Sequence, residues 1–283
     1  MHFKEVTPMC GRFALVTNEP IVRAQFHLDE LPELLPRFNI APSQPVLFLV
    51  EVDHQLKALQ LTWGLVPFWA KNKKIGSKMI NAHCETITSK PAFRQSFKTK
   101  RGLLLMSGFY EWHETKNKPK QPFFITRNDN QLLAIAGLWD SWQSEDGQEV
   151  VQSCCLITTE ANRFLRPIRN RMPVILTEKE QTLWLDTDHY NQASLLSLLK
   201  PYDIDDLKAY PVSTRVNNAR YEEVDAIRPI QDKQHILSEQ KDENTATSWA
   251  SHRAFTLKKG SPMAIPKAFA SFDLAITQPS LKA

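Results

Sequence analysis

The spacing of apolar positions along this chain switches repeatedly between the period of a strand and that of a helix. Residues 19–28 put Ile21, Val22, Phe26 and Leu28 on one side of a short amphipathic helix. Residues 46–50 and 58–65 read as strands joined by a turn at 53–55, and strand-like runs recur at 103–106, 123–127, 132–139 and 150–158. Turn residues at Asn128-Asp129-Asn130 and Glu145-Asp146-Gly147 separate the later runs. Helical spacing is predicted at 160–165, 178–185 and 191–199, before a last strand at 208–212. The prolines make 36–44 an expected irregular segment, and the lysine-rich residues 71–78 an expected solvated loop. Loops this short favour antiparallel pairing, because parallel strands need crossovers of about a dozen residues or more. The pattern predicts an α+β fold with a mostly antiparallel, barrel-like twisted sheet and flanking helices. From residue 231 the periodicity decays into polar and then Pro/Ala/Lys-rich composition. Residues 10–230 are therefore expected to form a single domain and 231–283 a disordered tail.

Composition narrows the class. With 42% apolar and 23% charged residues the chain resembles an ordinary globular protein. No apolar run reaches the ~18 residues of a membrane span, and the first residues lack the basic and apolar regions of a secretory signal. A cytoplasmic location without a membrane partner is expected. The four cysteines show no C-x-x-C spacing and suit free thiols. The net charge of +4 is carried entirely by residues 251–283, so residues 1–250 are neutral and any nucleic-acid site must be a local patch. The scattered histidines give no metal cluster, and no glycine-rich phosphate loop or internal repeat is present; neither cofactor nor metal is expected.

The candidate chemistry begins at Met9-Cys10-Gly11-Arg12-Phe13. An N-terminal cysteine carries an α-amine of ordinary pKa about 7.7–8.0 beside its thiol. That pair can form a Schiff base with an aldehyde and close it to a thiazolidine. Residues 1–8 precede Met9 and would tie up that amine, so residues 1–9 are expected to be a leader or a mis-assigned start. The alternative is that Cys10 is a small buried packing residue. Glu111 lies among Phe109, Tyr110 and Trp112, where a carboxyl group tends to have a raised pKa, unless it sits on an edge strand in water. Phe68 and Trp69 form either a packed lid or a stacking platform for bases. Asn81 can be a turn or cap residue and His83 a surface imidazole. Residues 166–173 form a basic loop with three arginines.

Eight ordered segments then converge: Met-Cys-Gly-Arg-Phe-Ala (9–14), Arg-Phe-Asn-Ile-Ala-Pro (37–42), Trp-Gly-Leu-Val-Pro-Phe-Trp (63–69), Ile-Asn-Ala-His-Cys-Glu-Thr (80–86), Gly-Phe-Tyr-Glu-Trp (108–112), Leu-Ile-Thr-Thr-Glu-Ala-Asn (156–162), Arg-Met-Pro-Val-Ile-Leu (171–176) and Pro-Val-Ser (211–213). Together they resemble the SRAP family, the SOS response-associated peptidases. The resemblance implies a monomeric DNA-damage protein of peptidase, hydrolase and lyase type. Such a protein recognises abasic sites in single-stranded DNA and traps the sugar aldehyde as a thiazolidine crosslink. It further implies that Cys10 is the nucleophile, that Asn81 holds the cysteine and the sugar, and that Glu111 transfers protons. Gly11, Arg12, Pro42, Phe68, Trp69 and Arg171 then fall at DNA contacts. Two positions depart from the pattern. Arg169 stands where the family usually has histidine, and a permanently protonated guanidinium cannot shuttle protons, which calls into question ring opening and crosslink reversal. His83 stands where the family has arginine, with Lys90 as the next basic position, which implies weaker and more pH-dependent DNA contact. Competing readings are a cysteine peptidase acting on its own leader and a non-covalent single-stranded DNA binder.

Overall fold

The computed structural model describes residues 10–114 and 119–230; the expected leader and the expected disordered tail lie outside the described residues. In chain order, β1 (Phe13–Leu15) leads into α1 (Glu19–Phe26), whose Ile21 amide donates to the Asn18 side chain and whose buried face carries Val22 and Phe26. Strands β2 (Arg37–Ile40), β3 (Pro45–Val52), β4 (Gln55–Trp63) and β5 (Asn81–His83) follow, then α2 (Arg94–Thr99), β6 (Arg101–Met106), β7 (Gly108–His113) and β8 (Gln121–Arg127). Two long strands, β9 (Leu133–Gln143) and β10 (Val150–Glu160), precede the short β11 (Arg171–Pro173). Helices α3 (Glu178–Leu185) and α4 (Gln192–Leu198) and strand β12 (Leu207–Pro211) complete the order.

Five strands close on themselves. The hydrogen-bonded order β10-β4-β3-β6-β9 returns to β10 through the β9–β10 pairing, making a barrel without free edges in that ring. A second sheet, ordered β12-β8-β7-β1-β2, shares its apolar face with the barrel core, where Phe13, Phe109 and Ile125 join Phe48, Trp63 and Leu104. The β3–β4 hairpin turns at Asp53 and His54, both left-handed at φ 52° and 58°, as expected of a two-residue turn matched to strand twist. Within the barrel the Phe48 ring lies over the paired glycines of β6 and β9. A Cβ on Gly137 would stand 2.6 Å from that ring, so the position admits nothing larger than hydrogen.

The sheets are mostly antiparallel, as expected; β10 runs parallel to β4 at Ser153 and Cys154 and to β5 at Leu156 to Thr158, partners joined through long intervening chain. Three other expectations need correction. The expected helix at 160–165 is a series of turns. The Asn162 carboxamide accepts from the Leu165 amide and donates to Tyr202 O, while Pro167 disfavours helix at the residue before it. The expected irregular segment at 36–44 contains β2, since Pro36 and Pro42 flank the strand and leave its pairing with β1 intact. Part of the expected loop at 71–78 is a 3-10 helix, Lys73–Lys78.

The junction of β4 and β5 matters most for function. Beside β10, β4 ends at Trp63 and β5 resumes the same parallel alignment at Asn81, with the Gly64 amide donating to Cys154 O at 2.8 Å. Residues 64–80 are thereby pushed out of the barrel as an excursion. Its base is pinched where Gly64, at φ 129°, approaches Gly76; a Cβ on Gly64 would lie 2.6 Å from Gly76 O. Phe68 and Trp69 ride on this excursion, about half exposed at 55% and 48%.

Candidate active site

Antiparallel pairing of β1 with β7 sets Phe13 against Phe109, and Tyr110 N–H donates to Arg12 O at 3.0 Å. Continuing past β1, the chain delivers Cys10 to Glu111. The Cys10 backbone N–H donates to Glu111 Oε1 at 2.9 Å, and its thiol donates to the same oxygen at 3.0 Å. Cys10 adopts a left-handed backbone, φ 48°, which turns both groups toward one carboxylate oxygen. Cys10 and Glu111 are each only 2% exposed, which rules out the solvated edge-strand reading of Glu111.

Burial dominates the electrostatics. It pushes the Glu111 carboxyl above its ordinary value, against the hydrogen bonds from Cys10 and the nearby Arg169 charge. It also pushes the Cys10 thiol well up, reinforced by the Glu111 charge and opposed by Arg169 and Arg171. At neutral pH the sulfur therefore keeps its proton and points it at Glu111 Oε1. The other carboxylate oxygen faces Arg169, whose Nε lies 3.6 Å from Oε2, while Arg169 Nη1 is 3.5 Å from Glu114 Oε1.

A second group gathers at the end of β10. Parallel pairing places Asn81 beside Leu156 and His83 beside Thr158, and β11 brings Arg171 opposite Glu160. The Arg171 guanidinium is held bidentately by Glu85, at 2.8 and 2.9 Å, and donates to Thr158 O at 2.8 Å. Arg171 draws the Glu85 carboxyl down to about 2. His83 Nδ1 is 3.3 Å from Thr158 Oγ1, and burial, helped by Arg171, lowers its pKa. The charges of Arg169 and Arg171 both oppose the upward push on the Cys10 thiol, which couples the second group electrostatically to the first.

Other predicted residues lie around this centre. Arg12, behind Gly11, donates from Nη1 to Asn39 Oδ1 and Val216 O, both at 2.8 Å, with its guanidinium 5.9 Å from the Trp112 ring centre. Pro42 lies in the turn between β2 and β3, and Lys90 is exposed after the short turn that follows β5. Sequence reasoning did not single out Glu85, Glu114 or Thr158. Glu85 stands inside a quoted motif, but nothing in one dimension pairs it with Arg171, 86 residues away. No three His, Cys, Asp or Glu side chains among the described residues are grouped to hold a metal ion. Among the same residues no helix is long and apolar enough to cross a membrane.

A closed-barrel α+β protein whose buried cysteine offers both its main-chain nitrogen and its sulfur to one carboxylate, with Arg169 at that carboxylate's other oxygen, defines the structural class. The chain belongs to the SOS response associated peptidase (SRAP) family, whose model matches residues 9–219. Among its relatives, abasic site processing protein YoaM of Bacillus subtilis is 42% identical over 215 residues, covering 75% of this chain and 94% of the relative. Abasic site processing protein HMCES of Xenopus tropicalis is 33% identical, covering 65% of this chain and 63% of that protein. A crystal structure of a protein from Bacteroides thetaiotaomicron shares the fold at TM-score 0.68 and 23% identity, covering 77% of this chain and 100% of that one.

Proposed function

We propose that this protein processes abasic sites, and that it does so by binding single-stranded DNA and trapping the ring-opened sugar aldehyde covalently on Cys10. The observation that carries the reading is the sharing of Glu111 Oε1 between Cys10 N and Cys10 Sγ. In a chain whose first residue is Cys10, that nitrogen is an α-amine. This condition is met by translation from Met9 with loss of the methionine, or by removal of residues 1–9.

The chemistry then balances with one proton carrier. The amine adds to the aldehyde carbon; Glu111, starting in its neutral form, gives its proton to the new alkoxide and takes one from the nitrogen, giving a carbinolamine. Glu111, protonated again, then gives that proton to the hydroxyl, water leaves, and an iminium remains beside the Glu111 carboxylate. The thiol gives its proton to the Glu111 carboxylate as sulfur bonds to the iminium carbon and closes the thiazolidine. One water is lost overall. A carboxyl whose pKa is raised above its ordinary value by burial suits a group that must both accept and donate. Arg169 holds the far carboxylate oxygen and does not itself carry protons. Arginines offer phosphates a sequence-independent grip, and exposed aromatics offer unpaired bases a stacking surface, as a lesion-directed binder needs.

The test is to incubate protein beginning at Cys10 with abasic single-stranded DNA and measure intact mass. The expected product is a one-to-one adduct lighter than the sum by one water, absent from Cys10→Ser and from protein with an acetylated amine. Salt-dependent binding with no adduct points instead to a non-covalent binder and ends the covalent reading.

A further inference from the structure

The Leu138-Trp139-Asp140-Ser141-Trp142 stretch of β9 plays no part in the chemistry above, yet it holds one of the few fully buried carboxylates, Asp140, at 2% exposure. Strand alternation puts Asp140 and Trp142 on one face of β9, and register places Ser153 of β10 directly across from Asp140. All three side chains bond to the backbone of the excursion at alternate residues. Ser153 Oγ accepts from the Val66 amide at 2.8 Å, Asp140 Oδ2 accepts from the Phe68 amide at 2.8 Å, and Trp142 Nε1 donates to Ala70 O at 2.5 Å. Asp140 is itself fixed through Oδ1, which accepts from Lys100 Nζ at 2.5 Å and from the Ser141 amide at 2.9 Å. Val66, Ala70 and Trp142 form a small buried cluster beneath. The backbone of 66–70 is thus clamped from below, while the Phe68 and Trp69 side chains remain about half exposed above it.

We propose that Asp140, Trp142 and Ser153 form a socket that pre-shapes the 66–70 segment, so that Phe68 and Trp69 meet single-stranded nucleic acid as a ready-made stacking platform. Asp140 is its central positioning residue. This rests on the DNA-binding reading above. A charged, fully bonded carboxylate is an expensive way to hold a loop unless its shape matters, since an apolar contact would bind it without fixing the backbone. The socket removes an ordering cost that would otherwise fall on DNA binding.

The test is a cycle of Asp140→Asn and the Phe68→Ala/Trp69→Ala pair, with Trp142→Phe as a variant that stays aromatic but loses the indole donor and some of its volume. Binding of a fluorescent abasic single strand and its single-turnover crosslinking are measured. For D140N and W142F the half-saturating DNA concentration is expected to rise about tenfold, within the range for losing one stacked base. The saturated rate is expected to stay within about twofold. In the Phe68→Ala/Trp69→Ala background, D140N should add nothing. Without DNA, amide exchange across 64–80 should accelerate in D140N while the barrel strands stay protected. Equal losses in both backgrounds, or no loss in either, overturn the proposal. Wild-type protein that fails to bind single-stranded DNA defeats the functional reading and the platform with it. Wild-type binding with unaltered D140N defeats the platform alone.

Discussion

Replacing Glu111 with glutamine keeps the shape of the centre and removes its proton transfer. A glutamine Oε1 can still accept the Cys10 N–H bond now 2.9 Å long, so the nucleophile stays where it is. The amide nitrogen then falls where Oε2 stands, 3.6 Å from Arg169 Nε, setting donor against donor and turning Arg169 toward Glu114. Positioning survives and acid–base catalysis does not. Loss of a general acid–base typically costs 10²- to 10⁴-fold, about 3–5 kcal/mol of barrier. Single-turnover adduct formation with excess abasic single strand, followed by denaturing gel, should slow by at least 100-fold with the DNA affinity preserved. A rate within threefold of the parent protein would refute the role given to Glu111.

The same substitution should have the opposite sign for stability. Burial raises the folded-state pKa of Glu111, so the protonated form is the one the fold prefers. The stability it contributes is present below the unfolded value and is lost as pH rises through the folded one. Denaturant titrations should therefore show Glu111→Gln gaining on the parent as pH rises above the ordinary carboxylate range. The altered contact with Arg169 sets only a constant offset, so a gap that fails to grow with pH would contradict the assignment.

Other changes probe the surroundings. Glu85→Gln frees Arg171 from its bidentate partner, so single-strand affinity should rise and the slope of log K against log salt should steepen by about 0.7; weaker binding in anisotropy titrations would mean that Glu85 serves to orient Arg171. Because the Glu85 carboxyl is drawn down to about 2, the pair stabilises the fold above the ordinary carboxylate range and is lost as pH falls toward 2. With Glu85 half exposed this is worth at most about 1 kcal/mol, and urea melts of Glu85→Gln should lack that acid-side decline. Gly137→Ala pushes a methyl into the Phe48 ring and should cost about 1–3 kcal/mol in denaturant melts. Phe48→Leu in the same chain should recover part of it, and purely additive losses would rule out the contact.

Much of this architecture is legible in one dimension because local rules and the barrel agree. The hairpin at Asp53 and His54, the strands of period two and the capped helix at Glu178–Leu185 all follow from residues close together in sequence. What fails is where a distant partner decides. Parallel pairing of β10 with β4 and β5 joins segments tens of residues apart, and no spacing rule predicts that β5 continues the line that β4 abandons. That break is also what makes the protein capable of its proposed work, since a continuous strand would leave residues 64–80 no reason to leave the barrel. The site divides in the same way. Cys10 and Glu111 could be picked out by residue type and neighbours, but the fact that gives them meaning is three-dimensional: one carboxylate oxygen takes two hydrogen bonds from a single residue 101 positions away. Arg169 shows the limit most clearly. Its sequence position marks it as a residue unable to carry protons and able to clamp a phosphate, whereas its place against Glu111 Oε2 makes it a charge that opposes the effect of burial on the carboxylate beside the thiol. Removing that charge should push Glu111 further toward its neutral form, so Arg169→Gln is expected to move the pH at which crosslinking rises to a higher value; a pH–rate profile unchanged from the parent would show that the guanidinium is a spectator.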